Sequence, residues 1–141
     1  MVNNQEALSQ AMSFAFAHKP AVGGFPFLAE CLRMAGVVRN VWTLPAAQSI
    51  YHFDEGTLIT VGEPVVTGMH EVPPFNEMAL IEALRADQQG ASTFPAFLRA
   101  AWAAGVVTYE VDFAARQVTY RGAAGESYAE SYASVVVSME V

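Results

Sequence analysis

The chain has 141 residues, seven basic against fourteen acidic, for a net charge of −7, and a single cysteine. An acidic balance with no clustering of Lys or Arg disfavours nucleic acid as a partner. No apolar run reaches the ~18 residues of a membrane span, and one cysteine excludes an intramolecular disulfide framework.

Taken in chain order, the first predicted element is a helix with Leu8, Met12 and Ala15 on one face. Residues 1–6 lack the basic stretch of a signal peptide, so a cytoplasmic protein is expected. Pro26 starts a second helix with Leu28, Cys31, Leu32 and Ala35 inward, and Gly36 caps it. Strands are expected near 37–44, 48–53 and 57–61. Residues 62–75 are rich in Pro and Gly and read as a linker, a kind of segment that is often functional when it is long. Pro74 suits the first position of a third helix, in which Met78, Ile81 and Leu84 recur at helical spacing beside Leu80, and Gly90 ends it.

Thr93 is the expected N-cap of a fourth helix, with Pro95 in its first turn and Phe97, Leu98, Ala101 and Trp102 along it. That helix stops at Gly105. Val107, Tyr109, Val111 and Phe113 then alternate with more polar neighbours, a period of two. Val118 and Tyr120 resume the pattern after a turn, Tyr128 and Tyr132 follow, and Val135, Val137, Met139 and Val141 alternate again. The whole reads as an antiparallel meander.

Residues 25–56 and 94–125 align without a gap at an offset of 69, with identities from Phe25/Phe94 and Pro26/Pro95 through Ala35/Ala104, Gly36/Gly105, Val37/Val106 and Val38/Val107 to Tyr51/Tyr120 and Gly56/Gly125. The expected architecture is therefore a single α+β domain over residues 1–141. It consists of two α-α-β-β(-β) repeats, about 5–61 and 76–141, joined by the linker 62–75, with the helices on one face of an antiparallel sheet. A register with Ala114 opposite Gln117 brings Val111 to Tyr120 and Glu110 to Arg121. The same register in the first half brings Trp42 to Tyr51 and Val41 to His52. The open sheet face is more apolar in the first half than in the second, which points to a homodimer.

Several phrases carry a family resemblance: Gly24-Phe25-Pro26-Phe27-Leu28-Ala29-Glu30, Val72-Pro73-Pro74-Phe75, Ala83-Leu84-Arg85-Ala86-Asp87-Gln88, Ser92-Thr93-Phe94-Pro95 and Gly105-Val106-Val107-Thr108-Tyr109-Glu110-Val111-Asp112-Phe113. From about residue 19 onward the chain resembles the YbcV-like family, a bacterial family of unknown function sometimes labelled "phage envelope protein". The resemblance implies an origin in or near prophage genes and brings no catalytic or binding residues with it. The sequence has no lipidation motif that would support an envelope role.

Candidate chemistry falls in three places. Glu110 and Asp112 share one strand face, about 7 Å apart by strand rise, and paired carboxylates suit a metal or acid–base work; the plainer reading is a solvated face with Glu110 paired to Arg121. His52, Asp54 and Glu55 end a hairpin strand, while His70 and Glu71 lie in the linker. Such a set offers a general base in His52 or His70, with Asp54, Glu71 or Glu110 orienting it or binding a metal and Asp112 as a further candidate, or a weak metal set of His52, Asp54 and His70. No zinc spacing, nucleophile elbow, P-loop or dinucleotide fingerprint is present, and no cofactor is expected. The Gly-bounded stretch from Arg121 to Glu126 reads as a hairpin turn. Trp42, Tyr51, Trp102, Tyr109 and Tyr120 read as core at the helix–sheet boundary, or as the lining of a pocket for a small apolar or aromatic ligand. The leading expectation is a non-catalytic binding or interaction module acting as a homo-oligomer. The alternatives are a small-molecule enzyme at the linker and a prophage-encoded accessory protein.

Overall fold

Three helices begin where a side chain replaces the missing backbone acceptor of the first turn: Asn3 accepts from the Glu6 N–H, Asn76 from that of Ala79, and Thr93 from that of Ala96. The computed structural model describes residues 3–138. Among them run α1 (Asn4–His18), α2 (Gly24–Met34), β1 (Val37–Thr43), β2 (Gln48–Phe53), β3 (Thr57–Val61), α3 (Glu77–Gln88), α4 (Phe94–Ala103), β4 (Val106–Asp112), β5 (Gln117–Gly122) and β6 (Ser127–Ser131). The chain is an α+β fold whose strands form one antiparallel sheet in the order β3-β2-β1-β4-β5-β6. The order α-α-β-β-β occurs twice. At the middle of the sheet Val41 faces Glu110, the two positions that the 69-residue offset equates. Among the described residues no helix is long and apolar enough to cross a membrane.

The hairpin register differs from the expected one by two residues. Val111 faces Val118, Tyr109 faces Tyr120, Glu110 faces Thr119 and Thr108 faces Arg121. In the first half Trp42 faces Ser49, Val41 faces Ile50 and Arg39 faces His52. Alternation determines which face a side chain takes, and a shift of two leaves every face unchanged. The turn decides between such registers. Each hairpin closes through four residues, 44–47 and 113–116, whose last members, Ala47 and Arg116, sit at φ of 51° and 53°. Asp112 holds the second turn, its Oδ1 accepting from the N–H groups of Ala114 and Ala115 at 3.1 and 3.0 Å.

Two further expectations are corrected. The third helix starts at Glu77 rather than Pro74. The backbone of Pro74 and Phe75 presses on Gly105, and the Asn76 N–H donates to the Ala104 carbonyl at 2.8 Å. Residues 74–76 are thereby held outside the helix, with Asn76 as its cap. Leu80 and Leu84 form the buried face of α3, while Met78 is exposed. The alternation after Tyr132 does not continue the sheet across the described residues. Gln117 already pairs with Ser131, so β5 has no residue left to face anything later, and the Tyr132 N–H bonds the Arg116 carbonyl in the turn instead. Met139 and Val141 lie outside the described residues.

The core lies between the helices and one sheet face. Leu8, Ala15, Leu32, Leu80, Leu84 and Phe97 from the helices meet Tyr51, Tyr109, Val111, Val118 and Tyr120 from the strands. The other sheet face carries Val41, Ile50, Ile59 and Val61 beside Arg39, Thr43, Gln48, His52 and Thr57 in the first half, and Thr108, Glu110, Asp112, Thr119 and Arg121 in the second, so its apolar side chains lie in the first half.

Candidate functional site

Helices α1 and α2 pack chiefly on each other, as do α3 and α4. The two pairs leave a cleft of about 1100 Å³ over the central strands, just above the ~300–1,000 Å³ typical of small-ligand sites. Its floor is Asn40 and Trp42 from β1, Tyr51 from β2, Tyr109 from β4, and Val118 and Tyr120 from β5. Period two sends all of these to the helix side. One wall comes from Phe16 and Lys19 of the α1 end and Phe25, Leu28 and Leu32 of α2. The opposite wall comes from Leu84, Arg85 and Asp87 of α3 and Phe94 and Phe97 of α4.

The rings are in mutual contact. Trp42 stacks on Tyr109 at 6.1 Å between centroids, meets Phe94 edge-on at 5.2 Å, and Tyr109 lies 5.6 Å from Tyr120. Tyr51, Tyr109 and Tyr120 are buried as residues, yet no side-chain N or O atom among the described residues is both sealed off and without a partner. All three residues line the cleft. Burial pushes the phenols of Tyr109 and Tyr120 well above the ordinary range, and they stay neutral. Tyr132 at the cleft edge is pushed up to about 12 by burial.

Charged groups at the cleft differ in how they are held. Arg85 donates to both Glu130 oxygens at 3.1 and 2.6 Å, and Gln88 and Tyr128 donate to the same carboxylate. The Arg85 bonds hold the Glu130 carboxyl below its usual range. Asp87 is half-buried, and desolvation raises its pKa, partly offset by the Lys19 charge. Since its folded pKa is raised, the ionised form costs stability at neutral pH, and the cost disappears as the pH falls through that pKa.

A comparison with known proteins places the chain. It is 49 % identical over 128 residues to uncharacterized protein Rv2012 of Mycobacterium tuberculosis (strain ATCC 25618 / H37Rv), a match covering 91 % of this chain and 78 % of that relative. Uncharacterized protein Mb2035 of Mycobacterium bovis matches to the same extent. The chain belongs to the family of these two proteins. No family model matches it. Neither name assigns an activity, and neither carries the YbcV-like or phage label.

The titratable residues singled out from the sequence lie elsewhere. None of the three histidines lines the cleft. His52 is on the open sheet face, with its Nε2 3.3 Å from Arg39 Nη2. Arg39 also stands 3.8 Å from Glu110, and so takes the place expected for Arg121. Asp112 shares that face and is engaged in the turn. Asp54 is exposed in the β2–β3 turn. His70 Nε2 donates to the Thr67 carbonyl at 2.6 Å within the linker, and Glu71 beside it is exposed. Among the described residues no three His, Cys, Asp or Glu side chains are grouped so as to hold a metal ion.

Four of the five aromatic residues named as possible pocket lining do line the cleft; Trp102 does not. Asn40, Asp87 and Phe94 were missed as lining residues. Asn40 carried a signal: a polar residue at an inward position of an apolar strand calls for a partner or a ligand.

Proposed function

We propose that the chain is a binding module for a small, largely apolar or aromatic ligand seated between the two helix pairs. The observation that supports this is the cleft floor, where the aromatic residues Trp42, Tyr51, Tyr109 and Tyr120 and the polar Asn40 line one cavity. The chain has two tryptophans, and only Trp42 lines the cleft. In an NMR titration with 2-phenylethanol the Trp42 indole N–H should shift and saturate while that of Trp102 stays in place. Equal movement of both, or of neither up to tens of millimolar, would overturn the reading.

The module acts as a homo-oligomer in this proposal. Edge strand β3 exposes Ile59 at 57 % and Val61 at 74 % and carries no charge or proline to deter pairing. Light scattering at high micromolar concentration should give a dimer mass for the chain and a monomer mass for Ile59→Lys. A monomer for both removes the oligomer from the proposal.

A further inference from the structure

Asn40 is 4 % exposed and lies on the cleft floor. Its amide nitrogen donates to Ser49 Oγ at 2.7 Å and to the Ile50 carbonyl at 3.0 Å. A carbonyl can only accept, so the amide cannot be turned over, and both of its protons are taken. Oδ1 is the atom left toward the cleft, and no donor among the described residues reaches it. Because no sealed side-chain oxygen lacks a partner, Oδ1 opens into the cleft as an acceptor.

Asp87 is the second acceptor without a partner. Its carboxylate enters no salt bridge among the described residues although two cations line the same cleft. Arg85 is taken up by Glu130. Lys19 is exposed, with its ammonium 5.1 Å from the Phe16 ring centroid, and its charge acts on Asp87 without forming an ion pair with it. Asp87 lines the same cleft as Trp42, Tyr109 and Tyr120, and its charge adds to what raises the two phenols. A half-buried carboxylate without an ion pair is stabilised by an opposite charge brought to it. Indole and phenol rings, whose faces attract cations, line the same cleft.

We propose that the cleft selects a small organic cation, a protonated amine carried on a flat apolar or aromatic body. The ammonium pairs with Asp87, the body rests against the rings of Trp42, Tyr109 and Tyr120, and Asn40 Oδ1 accepts from a further N–H or O–H where the ligand has one. This rests on the binding reading above and adds the sign of the charge.

Three probes of one shape separate the two ideas: 2-phenylethylamine, a cation at pH 7, 2-phenylethanol, neutral, and 3-phenylpropanoate, an anion. With the unaltered chain the amine should bind about tenfold or more tighter than the alcohol, the anion weakest, and the margin should shrink as salt is added. Asp87→Asn removes a charge that burial penalises and keeps the side chain's shape. In that variant the amine should fall to the affinity of the alcohol, while the alcohol is unchanged. Equal binding of amine and alcohol, or tightest binding of the propanoate, overturns the cation assignment and leaves the binding reading standing. No response to any of the three at the Trp42 indole overturns both. The ranking on the unaltered chain decides the matter even if the variant fails to fold.

Discussion

Gly105→Ala should lower the unfolding free energy by about 3 kcal/mol or more, roughly twice the loss from Gly36→Ala. The two glycines are equivalent under the 69-residue offset and both have positive φ, +88° and +103°. Each follows a helix and turns the chain into the first strand of its half. A methyl group at either costs about 1–2 kcal/mol in backbone conformation. Their surroundings differ. A Cβ on Gly36 meets only the edge of the Phe53 ring at 3.5 Å, an ordinary contact. A Cβ on Gly105 lies 2.6 Å from the Phe75 Cα and from the Pro74 carbonyl, and 2.7 Å from the Phe75 nitrogen. Backbone cannot swing aside as a side chain can, so the end of the linker must lift. The neighbouring Asn76-to-Ala104 hydrogen bond would be strained or lost with it. Denaturant titrations of the two variants measure the difference, and hydrogen exchange at the Asn76 amide should speed up only in Gly105→Ala. Equal losses would show that the linker does not bear on this corner.

Phe113→Ala should cost about 3–5 kcal/mol, an effect of the size seen for fully buried aromatic side chains. Phe113 is 1 % exposed although it is the first residue of a turn. Its N–H reaches the Val38 carbonyl at 3.4 Å, and its first-half equivalent, Leu44, bonds the Val107 carbonyl at 2.9 Å and is also fully buried. The two turns thus plug opposite ends of the β1–β4 pair. Phe113→Leu should retain most of the stability, because it keeps apolar bulk while leaving a smaller void. A shift of the denaturation midpoint without a change of slope would place the loss in the folded state. A loss below about 1 kcal/mol would mean that the ring is not part of the core.

These expectations show how unevenly the structure could be read in advance. The first-half strands fall at 37–43, 48–53 and 57–61, close to the runs marked out by alternation, because period two is a local property. Thr93 and Gly105 bound α4 as expected, since a cap and a positive φ are also local demands. Pro74 stands outside α3, against the expectation from its type, because its position is settled by a contact with Gly105, 31 residues later in the chain. The titratable residues misled for a related reason. His52, Asp54, His70, Glu71, Glu110 and Asp112 draw attention by type, whereas Asp87 sits in an ordinary helical turn and gains its interest only from what faces it.

By itself, the sequence determined the class of the elements, the face each strand side chain takes and the likeness of the two halves. All of these follow from spacing along the chain. The tertiary structure alone decided the register, since faces repeat every two residues and only a four-residue turn selects among them. It also decided the cleft. Trp42, Tyr51, Tyr109 and Tyr120 would be buried in any packing of these strands. They line a cavity because each helix packs chiefly on its neighbour in its own half, and the space between the two pairs lies over the central strands.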